Sequence, residues 1–246
     1  MLLNREERPL VTAHTGCGEA PANTWASFME VVAMRADIAE LDIRITCKEE
    51  PVLLHDHSLL LELYDARQLN RMPARARLGP PHREHGLILL ADVIEEAKRR
   101  GMKLNLDIKN AESVNPTLRL VKALHAERLV YVTGCTEGIQ IDTEGISLLL
   151  NAPESTDEDA GTDEAFIRRV CEEANQQGYS GVNLHYSMCS PAFVECAHSL
   201  DLMVSVYTVD EAVMMRSLMD MRVDSITTMM PEQLMRLRKV DEQHEA

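Results

Sequence analysis

Two short stretches set acids and a lysine at alternating positions. In AELDIRI, Glu40 and Asp42 stand two residues apart, and in LNLDIKN the series Asn105, Asp107, Lys109 has the same spacing. An extended chain sends residues i and i+2 to one face. Each stretch therefore presents its polar set on one side and Leu41 and Ile43, or Leu104, Leu106 and Ile108, on the other. AELDIRI alone reads equally well as an edge strand with its acids in water. Recurrence of the pattern in LNLDIKN favours two inward faces. Carboxylates gathered on an inward face are costly unless a cation neutralises them, and hard oxygen donors of this kind suit Mg²⁺ or Ca²⁺. Two histidines end apolar runs: His14 follows LVTA and His55 follows PVLL. Imidazole titrates near ~6.5 and suits proton transfer around neutrality. A metal, two proton-transfer groups and an inward ammonium fit hydrolysis of a phosphate ester, where the cations offset oxyanion charge.

The elements that must position these residues alternate along the whole chain. Apolar runs predict strands at 10–13, 38–45, 52–54, 104–108, 129–132, 146–150, 181–184, 203–207 and 224–227. Amphipathic patterns predict helices at 23–35, 90–100, 113–125, 164–177, 191–199, 211–221 and 231–240. Start signals include Thr162 with Glu164, Ser190-Pro191, and Pro231 at a first helical position. Repeated strand–helix units imply a parallel sheet. A series this long predicts one α/β domain over residues 1–246, a closed (β/α)₈ TIM barrel, ahead of an open doubly wound sheet. The link 46–51 is too short for a crossover helix, so 52–54 is expected as an extra hairpin strand after strand two. Residues 57–86 read as a short insertion or lid at the barrel mouth. Its Arg67, Arg71, Arg75 and Arg77 lend positive charge to the site or simply form a solvated helix face. The acidic run 152–164 reads as a solvated loop. Asn183 and His185 alternate at the end of one predicted strand and Tyr207 ends the next, as substrate contacts or as packing.

The chain has 246 residues, 45% hydrophobic and 26% charged, with formal net charge −15. That balance argues against nucleic acid and anionic membrane surfaces as partners, since both require a basic footprint. It also repels an anionic substrate, which must then be drawn by a local metal or lysine. Six cysteines without a CxxC pair read as reduced thiols in a cytoplasmic protein. The N-terminal MLLNREERPL lacks the apolar region of a signal peptide. No apolar run approaches the ~18 residues a membrane span needs.

The ordered motifs resemble the glycerophosphodiester phosphodiesterase family, a TIM-barrel family. The resemblance runs from about residue 9 to 236 through His14-Thr15-Gly16, Pro21-Ala22-Asn23-Thr24, Glu40-Leu41-Asp42, His55-Asp56, Asp107-Ile108-Lys109, Tyr207-Thr208-Val209-Asp210 and Val223 to Pro231. It implies that His14 and His55 act as the acid/base pair and that Glu40, Asp42 and Asp107 hold one divalent cation. It also implies that Lys109 contacts the phosphate of a small-molecule phosphodiester, which is cleaved to glycerol 3-phosphate and an alcohol. His185 and Tyr207 join Lys109 as candidate substrate contacts. Thr15 takes the position of the family's phosphate-binding arginine, Ala22 that of a glutamate, and Met229 that of an aspartate. The third ligand is Asp rather than Glu, as in the related sphingomyelinase D-type enzymes, which also lack the arginine. These departures keep two alternatives open: a phospholipase D-like or cyclising phosphodiesterase on the same scaffold, and a non-catalytic binding protein.

Overall fold

The fold is described from a computed structural model for residues 8–71, 73–153 and 163–244. Nine strands alternate with helices: β1 (Leu10–Ala13), α1 (Trp25–Met34), β2 (Ile38–Ile45), β3 (Pro51–Leu53), α2 (Leu59–Leu63), α3 (Ala66–Arg71), α4 (Leu90–Arg100), β4 (Lys103–Ile108), α5 (Ala111–Ala123), β5 (Val130–Gly134), β6 (Ser147–Asn151), α6 (Glu164–Gln176), β7 (Gly181–His185), α7 (Pro191–Ser199), β8 (Met203–Tyr207), α8 (Ala212–Asp220), β9 (Ser225–Thr228) and α9 (Pro231–His244). The strand order is β1-β9-β8-β7-β6-β5-β4-β2-β3, and β1 also pairs with β2. Eight strands thus close a (β/α)₈ ring. β3 lies outside it, antiparallel to β2, with Ile43 opposite Leu53 and Ile45 opposite Pro51. That is the expected hairpin strand.

Several local devices explain the boundaries. The Thr24 side chain caps α1 by accepting from the Ser27 N–H, and the helix stops at Arg35 in the left-handed conformation. Residues 135–146, between β5 and β6, contain no helix, so one barrel unit returns through loop alone. The cap of α6 is Asp163, whose carboxylate accepts from the Ala165 N–H. Thr162, part of the start signal expected there, and most of the acidic run (154–162) lie outside the described residues.

The Cα positions group into two compact units. One comprises residues 8–13, 36–38 and the described residues from 147 onward. It holds β1 and β6 to β9 in parallel register, with Asn183 beside Ser205 and His185 beside Tyr207. Val182, Leu184, Val204, Val206, Ile226 and Phe193 are fully buried. Asp37 ties this unit together, accepting from the Val11 N–H at 2.8 Å and from Arg238 at 2.5 Å.

The other unit, residues 14–35 and 39–146, holds β2 to β5 and α1 to α5. Its 57–86 insertion has an apolar core of its own. Leu61, Ala66, Leu69 and Leu78 pack with Val52 and Leu54 in a buried apolar cluster. Arg75 spends its guanidinium on the carbonyls of His82, Asn70 and Arg83, which is neither of the two roles, charge for the site or a solvated helix face, expected for it. These bonds brace the 3₁₀ turns 73–78 and 80–83.

Candidate active site

Every acid, histidine and lysine singled out for chemistry, apart from His185, falls in the second unit. Glu40 and Asp42 project from one face of β2 and are 5% and 2% exposed, while Leu41 and Ile43 bury the opposite face. Asp107 reaches them from β4, the neighbour of β2 in the ring. One oxygen from each of Glu40, Asp42 and Asp107 lies within 4.8 Å of the other two. The Lys109 Nζ bonds to Asp42 Oδ1 at 2.6 Å and also to Asp107 Oδ2. Its backbone N–H donates to the Ile43 carbonyl, carrying the pairing of β4 with β2 one residue past the strand end.

Neighbouring chain holds the acids in place. The Asn23 Nδ2 donates to Asp42 Oδ2 at 2.6 Å, while the Asp42 N–H donates back to Asn23 Oδ1 at 3.2 Å. Asn23 sits at φ +58°, where asparagine is among the more tolerant residues. The Thr15 N–H donates to Glu40 Oε2 at 3.0 Å. Thr15 is itself buried, and its Oγ1 accepts from the Asn23 N–H at 2.7 Å. The hydroxyl at the arginine position therefore clamps the loop that carries Asn23. Gly16 turns this loop at φ +78°, and a Cβ there would stand 2.9 Å from that of Ala22. On the other side, Thr133 is in register with Asp107 and donates to its Oδ1 at 3.3 Å and to Asn105 Oδ1 at 3.2 Å. Gly134 follows at φ +79°, and a Cβ there would lie 2.5 Å from Asp107 Oδ1 and 2.3 Å from the Ile108 carbonyl.

Both histidines have one ring nitrogen assigned by a partner that only accepts. His14 Nδ1 donates to the Thr15 carbonyl at 2.9 Å and stands 3.7 Å from Glu40 Oε2. His55 Nδ1 donates to Asp56 Oδ1 at 2.8 Å. In each neutral ring Nε2 is then the lone-pair nitrogen. The two differ in setting: the His14 side chain is 35% exposed, that of His55 67%. Burial pulls His14 down, but Glu40, the Thr15 carbonyl and Asp42 outweigh it, and the ring is held above its ordinary value. Burial and Asp42 push Glu40 up to about 7 against the opposing pull of His14. Burial disfavours the Lys109 ammonium, yet Asp107 and Asp42 more than compensate and raise it.

Arg44 is the third polar residue on this face of β2. Its Nε donates to the His55 carbonyl at 2.8 Å. Burial lowers the guanidinium and the charges of Asp56 and Asp42 oppose that. Asn23, Thr133 and Arg44 are the site residues whose part the sequence reading did not assign. Arg44 had a signal in its place at i+2 from Asp42 and i+4 from Glu40, and Asn23 in its place within the Pro21-Ala22-Asn23-Thr24 motif.

His185 and Tyr207 belong to the first unit, in register at the ends of β7 and β8, with their rings edge-on and centroids 6.1 Å apart. The Ser187 N–H donates to His185 Nδ1, so this ring offers Nε2–H as a donor, the opposite tautomer from His14 and His55. Asn183 donates to Asn151, and its buried Oδ1 has no partner among the described residues.

Three buried or half-buried carboxylates converge on a parallel barrel, with His14 3.7 Å from Glu40, and form an all-oxygen donor set that could hold a hard cation. The model of the glycerophosphoryl diester phosphodiesterase family matches residues 14–233. The probable glycerophosphodiester phosphodiesterase 2 of Mycobacterium tuberculosis is 25% identical over 229 residues, 85% of this chain and 81% of that protein. Among solved structures, a glycerophosphodiester phosphodiesterase from Parabacteroides distasonis superposes with a TM-score of 0.77 at 19% identity, covering 96% of this chain and 98% of that one. A phosphodiesterase from Oleispira antarctica, in complex with the product sn-glycerol-3-phosphate, gives a TM-score of 0.75 at 20% identity, with 93% and 96% covered. The chain belongs to the glycerophosphoryl diester phosphodiesterase family and is a phosphodiesterase. Among the described residues, no helix is long and apolar enough to cross a membrane.

Proposed function

We propose that the chain hydrolyses a glycerophosphodiester to glycerol 3-phosphate and an alcohol, using one Mg²⁺ or Ca²⁺ held by Glu40, Asp42 and Asp107. The observation that carries this reading is the convergence of the three carboxylates with His14 beside them at 3.7 Å. The fit to a hard divalent ion rests on the donor set, which is all oxygen and partly buried. When bound, the ion supplies charge neutralisation for the phosphoryl oxygens. The chain's own residues do the rest. Asn23 and the Thr15 N–H fix the orientation of Asp42 and Glu40, and Thr133 steadies Asp107. Lys109, already between Asp42 and Asp107, places an ammonium against the phosphate. One histidine takes a proton from the attacking water at Nε2, and the other gives a proton to the departing alkoxide. The new P–O bond to water replaces the P–O bond to the alcohol, and one proton moves on each side. Free thiols at all six cysteines support the reading of a reducing, cytoplasmic setting, which cell fractionation checks.

The test is hydrolysis of glycerophosphocholine and glycerophosphoethanolamine after chelation and re-addition of Mg²⁺ or Ca²⁺, followed by ³¹P NMR. Expected are metal-dependent release of glycerol 3-phosphate and a loss of about 10²–10⁴-fold in kcat for His14→Ala and His55→Ala. Turnover indifferent to chelation, or unchanged in both histidine variants, refutes the mechanism. A cyclic phosphate signal would redirect it to the cyclising alternative.

A further inference from the structure

The cations proposed to meet the phosphate, the Lys109 ammonium and one divalent ion, are matched in charge by the three carboxylates of Glu40, Asp42 and Asp107, and Lys109 is already paired with two of them. The cluster therefore has no net positive charge to offer an anionic phosphodiester. A protonated histidine does not fill this gap, because it must release its proton during turnover. The chain's net charge of −15 repels the substrate further.

We propose that Arg44 is the phosphate anchor, and this rests on the phosphodiesterase reading of the same site. Arg44 shares the β2 face with Glu40 and Asp42, one pleat (about 6.7 Å) nearer the C-terminal end of the strand than Asp42. Its Nε is fixed by the His55 carbonyl. Its two Nη groups have no hydrogen-bond partner among the described residues. A half-buried guanidinium held at one nitrogen, with a planar pair of donors unused, is suited to bidentate capture of phosphoryl oxygens. Arg44 also lines a cavity of about 580 Å³, whose other walls include Thr46, His57, Ser58, Asn110 and the acids Glu49, Glu62 and Glu112, a volume in the range of small-ligand sites.

The experiment compares wild type, Arg44→Gln and Arg44→Lys. It measures kcat and KM on glycerophosphocholine, inhibition by inorganic phosphate and by glycerol 3-phosphate, and calorimetric affinity for Mg²⁺. Arg44→Gln is expected to lower kcat/KM at least tenfold, mainly through KM, and to weaken inhibition by both anions by a similar factor. Mg²⁺ affinity should stay within threefold, and Arg44→Lys should recover part of the loss. If Arg44 merely positions the His55 turn, kcat and its pH profile change while anion inhibition is unmoved, and that result overturns the proposal. If wild type hydrolyses no glycerophosphodiester, the functional reading fails separately. Calorimetric binding of inorganic phosphate then still decides Arg44: weakening in Arg44→Gln supports the anchor and unchanged binding refutes it.

Discussion

Replacing Lys109 by Met tests how the acid cluster is held together. The Lys109 side chain is 18% exposed and that of Asp42 only 3%. Removing the ammonium leaves Asp42 and Asp107 facing each other and Glu40, with Asn23 alone donating a side-chain bond to Asp42. Loss of one partner from a buried pair costs roughly 3–5 kcal/mol, and the partial exposure of Lys109 argues for the lower end. About 3 kcal/mol corresponds to a fall in Tm of about 6–12 °C for a chain of this size. The assay is thermal and urea unfolding in chelator, repeated with Mg²⁺ or Ca²⁺ in excess. In chelator Lys109→Met should be destabilised by that amount, and adding Asp42→Asn should restore part of it, because the second change removes the orphaned charge. With the divalent ion the gap between wild type and Lys109→Met should narrow, since the cation meets a more negative site in the variant. Stability in chelator within ~0.5 kcal/mol of wild type, or no recovery in the double variant, refutes the account of Lys109 as the cluster's counter-charge.

Two other expectations follow from local geometry. Gly134→Ala forces a Cβ against Asp107 and the Ile108 carbonyl at φ +79°, whereas Gly138→Ala meets the left-handed conformation with nothing within 4 Å. Urea unfolding should show about 1 kcal/mol lost for Gly138→Ala and at least about 2 for Gly134→Ala, which should also bind Mg²⁺ more weakly; equal effects would contradict the contact. Burial first, then the charges of Arg75 and His85, hold buried His82 below its ordinary value of 6.5 despite an opposing backbone bond at His85. Below 6.5 the unfolded chain therefore binds the extra proton more readily than the fold does. Stability from this group is present above 6.5 and is lost as pH falls from there towards the folded value. His82→Gln should lose less stability than wild type between pH 7.5 and 5.5 in urea titrations, and parallel losses would sink the assignment.

The ring was legible because each strand is a short apolar run between helical patterns. The termini of β1, β2 and β8, and of α4 and α7, fall where the pattern puts them. Pleat alternation also showed that Glu40 and Asp42, and separately Asp107, share polar faces. It could not show that these faces meet, because period-2 reasoning fixes the side of a strand and not its register against a neighbour. Thr133 is opposite Asp107 only through the pairing of β4 with β5, and nothing in YVTG marks it. Asn23 reads as a helix-start residue. Its hold on Asp42 depends on a left-handed backbone and a loop closed by Thr15. Arg75 read as charge for the site or as part of a solvated helix face, because composition does not reveal which carbonyls a guanidinium will find.

The pinning of β3 has a consequence for how such a chain can diversify. The Leu53 N–H donates to the Ile88 carbonyl, and Val52 bridges Leu89. The excursion between them begins and ends at the same point, with its own apolar cluster inside. Its length and sequence can drift at little entropic expense without shifting the register of any ring strand. Because His55 stands at the root of that excursion and the acids stand on the ring, evolution can remodel what lies around one proton-transfer group while the acid cluster stays where it is.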